Sequence, residues 1–413
     1  MRIRIPRFGR KATLYIIGHA LATAAYLGIF SLLKVLFVLR LGFGPEYVGW
    51  YNAAGAIAYS AMGIPSGMLG QRFGRGRMIR LGGVILVLGY ALTPLTVSMP
   101  GAFRAAFPFV LQAISSFGWS LTIVNHVPNL LSAATSETRG QVTFWNQGVR
   151  GAGTFAGTLV GGLLPALFGA LLGASLDQAL PYGLAMASAV VLSVASLVTL
   201  WMIPLDDEEE ALSESEQATD RPPFPVLPMA FILLFLLFRQ ASWTTSRAFL
   251  NAFMDKELRM ATATIGLISS VGQLIGIAAS FLTPRLTRRF SEGSVLIGTA
   301  MALAASLGLL VVAPVALTAG ASQITTFIGS AIYLPTLQLF MLEMIPDQWR
   351  SLAYGMLSMM MGGSFALSSL AGGYIIAGHG YRALYAYGVV LALLATLLIA
   401  WLARHREAIQ ARK

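Results

Sequence analysis

The sequence predicts an all-α integral membrane protein whose twelve transmembrane helices form two pseudo-symmetric six-helix bundles. Three observations carry that prediction. Apolar residues make up 56% of the 413 residues and charged residues only 11%, with a mean hydropathy of +0.72. A soluble domain carries about 25% charged residues and has too little interior for so much apolar surface. Twelve apolar runs, each of the length that crosses a bilayer as a helix, follow one another along the chain. The two halves also repeat each other in motif and in charge placement.

The first span, 13–40, follows the basic start "MRIRIPRFGRKATLYIIG". Its apolar run is too long for a signal peptide, so it is read as a retained helix. Spans two and three, 47–70 and 79–98, flank "GMLGQRFGRGR" (67–77), read as a basic turn with four glycines and three arginines. Spans four to six cover 105–133, 141–171 and 179–203. After them comes "PLDDEEEALSESEQATDRPPFPVLP" (204–228), which holds eight of the chain's 17 acidic residues. That stretch lacks apolar periodicity and reads as a solvated cytoplasmic linker between an N-terminal bundle (1–203) and a C-terminal bundle (229–413). Spans seven and eight, 227–253 and 262–286, lead into a second basic turn, "TPRLTRRFSEG". Spans nine and ten, 293–313 and 315–344, are separated at "VVAPVALTAGAS"; spans eleven and twelve are 351–377 and 381–403.

Lys and Arg set the orientation. One side collects 19 of them: Arg2, Arg4, Arg7, Arg10, Lys11, Arg72, Arg75, Arg77, Arg80, Arg139, Arg221, Arg285, Arg288, Arg289, Arg350, Arg404, Arg406, Arg412 and Lys413. The other side has five, Arg40, Arg104, Lys256, Arg259 and Arg382. Both termini are therefore expected in the cytoplasm, in a multi-pass protein of the cytoplasmic membrane. A shift of 217 places Gly49 on Gly266, Leu69 on Leu286, Arg72 on Arg289 and Phe73 on Phe290. A shift of 211 places Arg139 on Arg350, Gly151 on Gly362, and the pair Gly161–Gly162 on Gly372–Gly373. Two such bundles in parallel orientation are a transporter architecture, with the substrate path between them.

The formal charge of +11 invites a nucleic-acid reading. The basic residues sit between apolar runs rather than on a polar domain, so no nucleic-acid partner is expected. With no cysteine, disulfides and thiol chemistry are excluded. His19, His126, His379 and His405 are scattered without metal-ligand spacing, and no metal or cofactor is expected. The phosphate-binding loop pattern is absent, so ATP is not the direct energy source. Neither paired carboxylates nor a nucleophile–base set supports an enzyme.

"GMLGQRFGRGR" resembles the loop between the second and third spans of the major facilitator superfamily, with Gly67, Leu69, Arg72, Gly74, Arg75 and Arg77 matching its pattern. Glycines let two helices close on each other, and arginines hold the loop at the cytoplasmic face and bond helix carboxyl ends. The resemblance implies a loop that switches conformation. Gln71 stands where the family has the aspartate that latches this loop to the opposite bundle. A more degenerate copy has Leu286, Arg288, Arg289 and Phe290 before Gly293. "GAGTFAGTLVGG" (151–162) is similar to the glycine-rich motif of exporters in this superfamily, through Gly153, Gly157, Gly161 and Gly162, with Thr158 in place of the proline. Small residues at this spacing also mean close helix packing, as do Gly372 and Gly373.

Carboxylates are confined to span ends and loops, as with Glu46, Glu137, Asp177, Asp255, Glu257, Glu343 and Asp347, whereas four cations lie inside spans. They are Lys34, Arg150, Arg239 and Arg247. A charge at the bilayer centre costs about 2.5–3.5 kcal/mol even on the gentler scale, so each must face protein or water. Cations without buried carboxylates call for an anion, and the organophosphate branch that this chain resembles in charge placement holds its anion in this way. Trp119, Asn125, His126, Asn146 and Trp243 complete the expected substrate-binding set; His126, of a residue type that titrates near neutral pH, reads either as a coupling group or as a hydrogen-bonded packing residue. The resulting reading is a secondary active transporter of a small organic anion or anionic amphiphile, working by alternating access as a monomer in the lipid bilayer. It acts with or without a coupling ion, a proton or a counter-transported anion. Two alternatives stay open: an exporter of hydrophobic or drug-like compounds, and a non-transporting receptor or scaffold.

Overall fold

The computed structural model describes residues 8–134, 138–204 and 224–405. Most of the acidic stretch (205–223, with Arg221), Glu137 and the terminal cations Arg2, Arg4, Arg7, Arg406, Arg412 and Lys413 lie outside the described residues. Among the described residues there is helix and no strand. The helices in chain order are α1 (Arg10–Arg40), α2 (Pro45–Ala61 continuing as Gly63–Phe73), α3 (Arg75–Ser98), α4 (Gly101–Ser132), α5 (Arg139–Leu172) and α6 (Ala179–Trp201). They continue with α7 (Val226–Lys256), α8 (Thr262–Ser280 and Thr283–Arg289), α9 (Glu292–Val312), α10 (Ala316–Met344), and α11 and α12 within Asp347–Arg404. Gly380, with φ 78°, divides the last two (347–379 and 381–404). Among the described residues ten helices are long and apolar enough to cross a membrane, the last of them containing the division at Gly380. The broken α2 and the division at Gly380 bring the spans to the expected twelve.

The breaks have local causes. Pro65 lacks a backbone N–H, and its ring excludes the carbonyl of Ala61, so α2 is interrupted at Met62. Pro284 acts in the same way on Ser280, dividing the expected continuous span 262–286. The basic turn at 67–77 is helix on both sides of one residue, Gly74. It has φ 93° and ψ 128°, a conformation open to glycine and costly for other residues. The second basic turn is two extended residues, Phe290 and Ser291, and the Ser291 hydroxyl accepts from the Ser294 N–H at 3.3 Å.

The chain divides into two compact units. Unit 1 comprises Met1–Phe43, Ala54–Glu210 and Ala261–Ser270; unit 2 comprises Gly44–Ala53, Ala211–Met260 and Val271–Lys413. In unit 1, α1 passes through a π-helical stretch, Ala24–Phe30, where the glycine face of α5 meets it. A Cβ on Gly153 would meet the backbone of Ala20, one on Gly157 that of Ala24, and one on Gly161 that of Ile29. Gly162, the next residue, lies against Gly266 of α8. Unit 2 repeats the arrangement. Gly372 abuts Phe249 and Leu384, and Gly373 lies against Pro45, Glu46 and Gly49. The glycine pairs that the 217 and 211 shifts align thus make equivalent contacts, each within its own unit.

An apolar core fills one end of each unit. In unit 1 it is built on Tyr15, Ile16, Ile79, Leu130, Val142 and Leu200, and in unit 2 on Ile232, Phe235, Leu296, Leu337, Phe340 and Ile399. Large apolar side chains also point outward, among them Val312 (81% exposed) and Leu317 (82%). An aqueous surface would not favour that distribution, and a hydrocarbon one does.

Candidate functional site

Each unit encloses its own polar cluster. In unit 1, α1, α4 and α5 bring together His19, His126 and Asn146. The Asn146 Oδ1 lies 3.0 Å from His19 Nδ1 and 3.2 Å from His126 Nε2, and the two imidazole centroids are 3.9 Å apart. All three side chains are buried. A carboxamide oxygen only accepts, so each facing ring nitrogen carries the hydrogen and donates. Below the pair, Asn129 Nδ2 donates to the Tyr15 hydroxyl at 2.6 Å, and the Tyr15 ring meets His126 edge-on. Arg150 follows Asn146 by one turn, on the same face of α5. Its backbone carbonyl accepts from Thr23 and Thr154 hydroxyls, while its Nε is buried without a partner.

Trp119 stacks on Tyr26 of the π-helical stretch, with centroids 4.6 Å apart and planes 13° from parallel, and Tyr26 in turn stacks on Phe30. Asn125 turns away from this group. Its Nδ2 donates to Ser66 O at 3.0 Å and Leu121 O at 2.9 Å, joining α4 to the second segment of α2.

In unit 2 the cluster is built on Arg239, which is 2% exposed. Its guanidinium carbon lies 3.6 Å from the centre of the Tyr333 ring, so α7 and α10 are joined by a cation–π contact. Trp243, one turn further along α7, packs near Phe365 of α11. Arg239 Nε, Trp243 Nε1 and the Tyr333 hydroxyl are all buried without a hydrogen-bond partner. Magnitudes decide what this means. Burying a guanidinium costs several kcal/mol even after relaxation, and a desolvated cation–π contact returns about 2 kcal/mol. Three donors lacking acceptors add about 1–3 kcal/mol each. The cluster is complementary to an acceptor with negative charge.

Lys34 and Arg247 are both partly buried. Lys34 is roughly 20 Å along α1 from His19, and Arg247 roughly 12 Å along α7 from Arg239, so neither belongs to these clusters. Around Gly74, Gln71, Arg72 and Arg77 are exposed, whereas Gly67, Leu69 and Arg75 are partly buried. The Arg72 guanidinium lies 5.2 Å from the centre of the Phe73 ring. The arginine that closes a helix end is Arg80, which donates to Leu200 O at 3.1 Å and Ile203 O at 2.5 Å at the end of α6. Arg350 donates to Leu342 O of α10. No group of three His, Cys, Asp or Glu residues suited to a metal ion occurs among the described residues.

Three participants escape sequence reasoning. His19 looks like a lone histidine in an apolar run, Tyr333 like a packing tyrosine, and Arg80 like one more loop cation. Each acquires its role through a partner on another helix, and no local spacing signals it.

Comparison with known proteins accords with this architecture. The family model of the Major Facilitator Superfamily matches residues 15–348 and 232–413. A crystal structure of a variant of the nucleoside transporter NupG superposes with a TM-score of 0.77 at 15% identity, covering 94% of this chain and 100% of that one. The D-xylose–proton symporter gives 0.70 at 17% identity, over 94% and 96% of the two chains. A bacterial homologue of the iron transporter ferroportin gives 0.69 at 16%, over 95% and 98%. At these identities the likeness is one of fold. No curated protein matches the chain in sequence.

Proposed function

The chain belongs to the Major Facilitator Superfamily, and on that premise we propose that this transporter carries a small organic anion or an anionic amphiphile by secondary active, alternating-access transport. The observation that carries the anion reading is the donor cluster on α7 and α10. Arg239 is buried with an aromatic ring against it, and three donors there lack acceptors. An anionic headgroup supplies the missing acceptors and the missing charge together. Arg150 offers a second cation with an unpartnered Nε. Lys34 and Arg247, further along α1 and α7, attract the substrate without belonging to either cluster. Within unit 1 the stacked Tyr26–Trp119 pair offers an aromatic surface of its own. The protein acts as a monomer in the cytoplasmic membrane; the distribution of its cations supports placing both termini in the cytoplasm.

Binding of a panel of labelled organic anions and anionic amphiphiles to purified protein tests this reading. Arg239→Gln keeps much of the side-chain volume and removes the charge. A hydrogen bond to a charged group contributes roughly 1.5–3 kcal/mol, so affinity for the bound anion should fall about tenfold to a hundredfold. Neutral compounds should be unaffected. If Arg239→Gln lowers the melting temperature yet binds anions as tightly as the parent, the arginine is structural and export of hydrophobic compounds replaces the anion reading.

A further inference from the structure

We propose that His19, Asn146 and His126 form a carboxylate-free proton-binding site whose occupancy is linked to the charge at Arg150, making the coupled ion a proton. The geometry gives each atom a role. Asn146 Oδ1 accepts from His19 Nδ1 and from His126 Nε2, which in the neutral rings fixes each hydrogen on the nitrogen facing that oxygen. The lone pair of His19 is thereby left on Nε2, which is buried without a partner. That atom takes the proton. A hydronium ion from solution delivers H⁺ and leaves as water, and His19 becomes an imidazolium with hydrogen on both nitrogens, still donating to Asn146. Two rings 3.9 Å apart do not both carry a charge, so the pair holds one proton.

The groups facing this pair are few. Tyr15, on the same helix as His19, bonds Asn129 and meets His126 edge-on. From α5 comes Arg150, whose charge acts on His19. From α3 the candidates are Arg75, Arg77 and Arg80. Arg77 is exposed, and Arg80 is tied to the carbonyls of Leu200 and Ile203. The second segment of α2 offers only the exposed Arg72, and α6 supplies Ser196 and Thr199 and no charged side chain. Among the described residues, no Asp or Glu has a hydrogen bond or ion pair to either imidazole. A proton on His19 and the guanidinium of Arg150 therefore repel each other with nothing between them to compensate. An anion bound at Arg150 removes that repulsion, and by linkage proton and anion each favour the binding of the other. The step from proton site to symport rests on the anion reading above. The proton site does not, because protonation is read without substrate.

The test is ring ¹⁵N spectroscopy of the full-length, histidine-labelled protein in lipid nanodiscs, where four histidines keep the spectrum simple. His19→Gln and His126→Gln assign the signals. Near neutral pH, His19 should be the Nδ1–H tautomer and His126 the Nε2–H tautomer. Acidification should add one proton to the pair. Arg150→Gln should raise proton occupancy of the pair at a given pH, while Arg150→Lys leaves it in place. The proposal is overturned by the opposite tautomers, by histidines that stay unprotonated throughout, or by a titration indifferent to Arg150→Gln. Any of these leaves the Arg239 reading intact. Loss of anion selectivity at Arg239 leaves the titration intact.

Discussion

Replacing Gly157 with alanine places a methyl group where α1 and α5 touch backbone to backbone. The added Cβ would lie 2.8 Å from both Cα and the carbonyl carbon of Ala24, and would overlap its carbonyl oxygen. Backbone atoms cannot rotate out of the way as a side-chain end can. Carbon contacts relax at about 3.5–4.0 Å, so α5 must retreat from α1 by about 1 Å at this point. Overpacking of that kind costs about 1–3 kcal/mol. Gly148, on the same helix, is the control, since a Cβ there meets nothing within 4 Å. Both variants gain alanine's helix preference, so the difference between them isolates the clash. Thermal unfolding of the two variants in nanodiscs, side by side, should show Gly157→Ala melting first. The same retreat pulls Asn146 from His19, whose 3.0 Å bond crosses this interface, so the His19 tautomer signal should weaken in Gly157→Ala alone. Equal stability of the two variants would refute the backbone contact and the argument built on it.

Arg80→Met removes two charge-assisted bonds to the end of α6 while keeping the stem. A loss of about 1.5–3 kcal/mol is expected in unfolding measurements, and a stability equal to the parent's would count against the cap. For topology, Ser215→Cys in a chain without native cysteine should react with an impermeant thiol reagent only in inside-out vesicles. Labelling from outside intact cells would reverse the orientation. At the turn between α2 and α3, Gly74→Ala should destabilise the protein by about 1–2 kcal/mol, because φ is 93° there. Gly140→Ala, where a Cβ meets nothing within 4 Å, should not.

How much of this was legible in the sequence differs between helix and site. Each span stands out because a backbone crossing hydrocarbon must satisfy its own hydrogen bonds, which forces about twenty apolar residues into one local helix. The turn between α9 and α10 falls at Ala313–Val315, within "VVAPVALTAGAS", for the same local reason. Breaks at Met62 and in 281–282 were also encoded nearby, in Pro65 and Pro284, but an average over an apolar window does not register them. The extent of the basic turn was not visible. Arginine and glycine both suit a loop, yet all but Gly74 of 67–77 is helical.

The sequence alone determined the solvent, the number of spans, the two-fold repeat, and which cations and amides lie inside spans. These follow from composition and from periodicities within some twenty residues. Only the tertiary structure decided that His126 and Asn146 meet His19, that Asn125 instead serves α2, that Arg239 lies against Tyr333, and that Arg80 rather than Arg72 closes a helix end. The physical reason is rotational. A membrane helix is apolar towards lipid and largely apolar towards its neighbours, so hydropathy fixes where it crosses and leaves free the turn about its own axis. For α1 and α5 that angle is set by their glycine contacts, and it brings Asn146 to His19.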